Sequence, residues 1–193
     1  MVSLAKKQSV SLTKQSNSPL TSLTFGLGWD PIKKTGFFGK LLGGSAEIDL
    51  DASVVLMDSN GDKIDTVWFR QLKSKCGSVI HSGDNLTGEG DGDDESIYID
   101  LALLPENIEH LAFTVNSFRG QTFNEVENAF CRVVDQNGKE LVRYELSEQG
   151  QHTGIMISSL KRDSGEWKFT AQGLPCPGQV IDDMMGRIVS ELV

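Results

Sequence analysis

Glu47 to Phe69 reads EIDLDASVVLMDSNGDKIDTVWF. It alternates through Asp51, turns apolar to Met57, breaks at Asp58 to Asp62, and alternates again at KIDTVWF. Alternation with a period of two puts successive side chains on opposite faces of a strand. Asn60-Gly61 between two such runs signals a hairpin, because both central residues of the tight turn take positive φ. The arrangement returns in AFCRVVDQNGKELVRYEL around Asn137-Gly138, and RDSGEW (Arg162 to Trp167) joins IMISSL to KFTAQ as a third hairpin. An offset of 77 positions aligns Ala52, Asp58, Asn60 and Gly61 with Ala129, Asp135, Asn137 and Gly138. That echo fits two similar hairpins on facing sheets.

Outward from this stretch, strand signals dominate. VSLTK from Val10, LTFGLGW from Leu23, SIYIDLALL from Ser96 and HLAFTVNSF from His110 read as strands. In QVIDDMMGRIVSELV (Gln179 to Val193), Val180, Ile181, Met184, Met185, Ile188, Val189 and Leu192 recur at helical spacing. Such a face packs on a sheet or, alternatively, binds a partner. The expected fold is mainly β: an antiparallel β-sandwich of two sheets with short helices and a C-terminal amphipathic helix, in a single domain over 1–193. GFFGKLLGGSA (Gly36 to Ala46) interrupts the pattern as a surface excursion, and its Phe37, Phe38, Leu41 and Leu42 either fold back on the core or form a contact patch.

The 193 residues are 38% hydrophobic and 23% charged, enough apolar material for a core. The net charge of −9 repels phosphate backbones and argues against a nucleic-acid partner. Cys76, Cys131 and Cys176 form neither a zinc spacing nor a disulfide framework, so a cytoplasmic location with reduced thiols is expected. The N-terminus carries no apolar export signal, and no stretch is long enough to span a bilayer.

The chemistry concentrates in GDNLTGEGDGDDE, Gly83 to Glu95. Asp84, Glu89, Asp91, Asp93, Asp94 and Glu95 are acidic and none of their neighbours is basic. Such crowding is repulsive unless the carboxylates are solvated or neutralised. A solvated acidic loop is the plain alternative. Against it stand the interleaved glycines, the neutral oxygens of Asn85 and Thr87, and strands on either side. Calcium takes six to eight hard oxygens of this kind, whereas magnesium keeps more of its waters and transition metals want His or Cys. The spacing is not that of an EF-hand. Asp49 and Asp51 share one face of a strand beside an apolar run and form a second acidic pair, answered by a cation or by an Arg or Lys. Asp30 is a third candidate ligand. DSNGDK at Asp58 reads as a turn. No catalytic constellation is present, and Cys76, a lone thiol, follows Lys73 and Lys75, whose charges would lower its pKa.

LGWD (Leu27 to Asp30), EIDLDAS (Glu47 to Ser53) and the acidic motif, in that order, with AFCRVVD and GEWKF downstream, resemble the TerD family of tellurium-resistance and general stress proteins, and within it the TerZ branch. The resemblance implies a non-enzymatic, calcium-binding β-sandwich of the bacterial cytoplasm. It implies two bound calcium ions and complexes with other Ter proteins at the inner membrane surface. By position, Asp84, Asn85, Asp93, Asp94 and Glu95 match the strongest part of the motif, and Asp49 and Asp51 match its strand partner. The Gly36 to Ala46 stretch is longer than the family's link, and VNSFRG (Val115 to Gly120) stands where relatives carry His-Asp. Two other readings stay open: a small-ligand module of the kind that binds a cyclic nucleotide, and a thiol-based tellurite detoxifier.

Overall fold

A computed structural model of the chain describes residues 1–31, 50–83, 92–117, 120, 122–146, 150–176, 178 and 180–193. The Gly36 to Ala46 excursion, Asp49, Asp84, Asn85, Glu89 and Asp91 lie outside the described residues, as do 118 and 119 of the VNSFRG segment.

The described strands are β1 (Val2–Leu4), β2 (Ser9–Ser11), β3 (Ser22–Pro31), β4 (Leu50–Met57), β5 (Lys63–Val67), β6 (Val79–His81), β7 (Glu95–Asp100), β8 (His110–Ser117), β9 (Val126–Asp135), β10 (Glu140–Glu145), β11 (Gly154–Asp163) and β12 (Glu166–Cys176). They form two sheets, ordered β1-β10-β9-β3-β7-β6 and β2-β12-β11-β8-β4-β5. The expected sandwich is therefore present. Pairing is antiparallel except where β1 runs parallel to β10. The chain enters on the first sheet, turns at Lys7 (φ 66°), and continues as β2 on β12 of the second. Across the sandwich, Phe25 of β3 stacks on Phe113 of β8 with ring centroids 4.2 Å apart.

The two Asn-Gly hairpins lie in facing sheets, β4–β5 in one and β9–β10 in the other, as the 77-residue echo suggested. Their turns differ from expectation. Among the turn residues only Gly61 and Gly138 take positive φ, and each hairpin carries a register shift, at Leu56/Met57 and at Glu140/Val142. The reason is an aspartate at the head of each turn. Asp58 Oδ1 accepts from the N–H groups of Asn60 and Asp62, and Asp135 Oδ1 accepts from those of Asn137 and Lys139, which favours a wider turn closed by glycine. Ser164 and Gly165, at φ 52° and 81°, make the tight two-residue turn instead.

The alternation at VSLTK ends early. Ser11 accepts from the Lys14 N–H and caps a short helix, α1 (Leu12–Gln15), whose Leu12 is buried in the core. The second helix, α2 (Ile181–Leu192), packs on the outer face of the second sheet. Its Ile181, Met184 and Ile188 close a second apolar cluster with Val55, Met57, Ala112, Met156, Leu174 and Cys176. The sheet-packed reading of this amphipathic helix holds. No helix among the described residues is long and apolar enough to cross a membrane.

Candidate cation site at the return of the acidic segment

Gly92 to Glu95 returns the acidic segment to the first sheet beside β3. The Asp94 N–H donates to Leu27 O at 2.8 Å, and Leu27 then registers with Glu95. Two glycines of LTFGLGW make room for this approach. A Cβ on Gly26 would stand 2.2 Å from Asp93 Oδ2, and one on Gly28 would stand 2.7 Å from Gly92 O and 2.5 Å from the Phe130 ring. Glycine inside a strand is the sequence sign of such close backbone contact.

Three consecutive acids then take three different environments. Asp93 forms a bidentate pair with Arg132 of β9, at 2.8 and 3.0 Å, and Arg132 also reaches Glu140 at 3.2 Å. Asp94 Oδ2 accepts from the Trp29 N–H at 2.9 Å. Burial raises the Asp94 pKa, the Trp29 hydrogen bond opposes the rise, and the charges of Asp30, Glu95 and Asp93 add to it. Glu95 is 1% exposed, and its Oε2 accepts from the Ala52 N–H at 2.7 Å.

Asp30 is exposed at the end of β3 and is held by the Asn128 side-chain amide at 2.8 Å. Asn128 has a left-handed backbone, φ 52°. Asp30 and Asp94 front a cleft of about 480 Å³ whose other walls include Trp29, Asn128, Phe130, Arg143 and Glu145. Arg143 stands 3.8 Å over the Phe130 ring and 3.9 Å from Glu145.

Asp51 is buried at 4% exposure. In β4 the even-numbered residues Leu50, Ala52, Val54 and Leu56 join the main core, and Val55 and Met57 join the cluster under α2. Asp51 therefore belongs by alternation to the outer face of the second sheet. Its charge is felt at His81. The structure thus brings Asp30, Asp93, Asp94 and Glu95 to one end of the first sheet, with Asp51 beyond Glu95. Among the described residues, no group of three or more His, Cys, Asp or Glu side chains is arranged to hold a metal by itself.

Sequence reading gave no role to His81, Arg132, Asn128 or the two glycines. Only the glycines left a local signal, as breaks in a strand pattern. Cys76 is exposed, and its thiol pKa falls below the ordinary value. Partial burial opposes ionisation, but the Ser74 and Ser78 hydroxyls, 3.3 and 3.0 Å from Sγ, outweigh it. The hydroxyls have the part that the preceding lysines, Lys73 and Lys75, were expected to take.

The TerD domain model matches residues 1–186. The chain belongs to the TerD family. Over its full length it is 67% identical to the tellurium resistance protein TerZ of Serratia marcescens, with both chains covered completely, which supports the TerZ branch. It is 44% identical to the stress response protein SCP2 of Bacillus subtilis (strain 168), covering 97% of this chain and 99% of that one. A crystal structure of a homologue of telluride resistance protein (TerD) from Streptomyces coelicolor A3(2) matches the fold with a TM-score of 0.67 at 20% identity, over 84% of this chain and 94% of that one. This TerD-family chain therefore sits among proteins named for tellurium resistance and stress response.

Proposed function

We propose that this TerD-family protein binds calcium at the return of its acidic segment and acts without catalysis, as a metal-ordered binding module in the stress response. The supporting observation is Asp94. Its carboxylate is tied to the Trp29 N–H beside Asp30, and burial first, then the charges of the surrounding acids, make its ionised form unfavourable. A bound cation removes that repulsion, and the hard oxygens gathered here suit calcium better than a softer metal. Asp30, Asp94 and Glu145 are the described acids that line the cleft, and Glu145 faces Arg143. Asp49, Asp84, Asn85, Glu89 and Asp91, outside the described residues, would complete the donor set, with Asp51 of β4. Asp93 and Glu95 already have protein partners in Arg132, Ala52 and His81, and we assign them to holding the segment in place.

Titration calorimetry with calcium and then magnesium tests the reading. Calcium heat together with a raised thermal midpoint is expected, because a ligand that binds only the folded state stabilises it by mass action. No heat and no shift at millimolar calcium would refute it.

The detoxifier reading has less support, since Cys131 and Cys176 are buried and Cys131's thiol is pushed well above its ordinary pKa. The small-ligand reading rests on Arg143 beside the carboxylates of the cleft. It predicts that an anionic ligand binds only when calcium is present. We further take the protein to act in the cytoplasm, in complexes with other Ter proteins at the inner membrane surface. Fractionation and cross-linking in cells test that placement.

A further inference from the structure

Among the described residues, Ala52 sits where β4 has a strand partner on one side only. It registers with Val115 of β8, while pairing with β5 begins at Val54. Two side chains from the first sheet fill the vacant edge. Glu95 Oε2 accepts from the Ala52 N–H at 2.7 Å, and His81 Nε2 lies 3.0 Å from Ala52 O. Together they make the donor and acceptor contacts that a neighbouring strand would make. The other ring nitrogen of His81, Nδ1, accepts from the Gly83 N–H at 3.0 Å. That bond fixes the tautomer: Nδ1 is bare, and Nε2 carries the hydrogen that it donates to Ala52 O. The same Nε2 is 3.5 Å from Glu95 Oε2, and both side chains are fully enclosed.

His81 therefore touches Gly83 and Glu95, the first and last residues of the acidic segment, and Ala52, the neighbour of Asp51 on the opposite sheet. We propose that His81 is a positioning residue, which holds both ends of the acidic segment against each other and against β4. It contacts no cleft-lining acid. It sets the span across which those acids are presented, and it ties the two sheets together at this end of the sandwich. For metal binding the proposal rests on the calcium reading above. The anchoring itself does not.

The test uses the full chain with His81→Leu, which keeps much of the volume and removes both ring nitrogens with their polar contacts, and His81→Gln, whose amide offers an NH2 donor and an oxygen acceptor. In metal-free protein, the Gly83 and Ala52 amides should exchange with solvent at least about tenfold faster in His81→Leu, while the Val133 amide keeps its protection. Calcium affinity by calorimetry should fall by about tenfold to a hundredfold, the usual effect of losing a residue that orients ligands. His81→Gln should recover part of both. Unchanged exchange at Gly83 and Ala52, or unchanged calcium affinity in a folded leucine variant, overturns the proposal. If the wild type gives no calcium heat while the exchange result holds, the calcium reading fails and the anchor stands. Should His81→Leu not fold, the wild type still decides: its His81 ¹⁵N shifts must report the Nε2–H tautomer with a hydrogen-bonded Nδ1, and the opposite tautomer overturns the proposal.

Discussion

The carboxylate of Asp93 lies across the Cα of Gly26, so close that a Cβ at that position would stand 2.2 Å from Oδ2. The fork of Arg132 holds it there from the other side. A charged pair is thus packed against bare backbone. Replacing Gly26 by Ala should displace Asp93, weaken the Arg132 pair and destabilise the fold by about 1–3 kcal/mol, the ordinary range for overpacking. Urea denaturation measures it. A Gly26→Ala protein as stable as wild type would mean that Asp93 moves aside freely.

Asp94 predicts two effects of opposite sign. Its folded pKa is raised, so its ionised form opposes folding. The penalty is fully present above the folded value and fades as pH falls toward the unfolded one. Asp94→Asn keeps an amide oxygen for the Trp29 N–H and removes the charge. At pH 7 without metal its thermal midpoint should equal or exceed that of wild type, by about 2–4 °C per kcal/mol relieved. The rise on adding calcium should be lost. A lower metal-free midpoint with an intact calcium response would contradict both halves.

Asp65 behaves in the reverse sense. It is buried, and its oxygens accept from the Thr66 N–H, the Gln71 amide and the Lys75 N–H at 2.9, 2.9 and 2.7 Å. Burial pushes its pKa up, but these donors win, and the folded value lies below the ordinary 3.8. The stability it contributes is present above 3.8 and is lost as pH falls through the lower folded value. Asp65→Asn should therefore destabilise by about 1–3 kcal/mol near neutrality, with the gap to wild type closing in strong acid. Denaturation midpoints of the two proteins across pH 2 to 7 supply the check. A gap independent of pH would exclude the charge as its source.

Gly186 lies on the exposed side of α2 with nothing within 4 Å of the place a Cβ would take. Its backbone is not left-handed, so alanine fits without strain. Gly186→Ala should stabilise the protein by about 0.5–1 kcal/mol through helix propensity and reduced unfolded-state entropy. A loss of stability instead would show that something packs on this face in solution.

Much of the fold was legible because its signals are local. Alternation marked β3, β4, β5 and β9 to β12, and spacings of three and four marked α2 and the face it buries. Where reading failed, a side chain had redirected the backbone: Ser11 caps a helix where a strand was expected, and Asp58 and Asp135 widen turns that Asn-Gly would otherwise close tightly. The parallel pairing of β1 with β10 was not legible, since it joins Val2 to Val142, far apart along the chain.

The candidate site divides in the same way. Composition and spacing alone located the acidic segment, because crowded carboxylates among glycines are a property of a short run of chain. They could not assign roles to Asp93, Asp94 and Glu95, which are adjacent and chemically alike. Their partners do that. Arg132 comes from β9, Trp29 from β3, and Ala52 and His81 from β4 and β6. Trp29, Arg132 and His81 are brought near by strand pairing within the first sheet, and Ala52 only when the two sheets close. Folding is therefore what separates a paired carboxylate, a crowded one facing the cleft and a buried anchor within three consecutive residues.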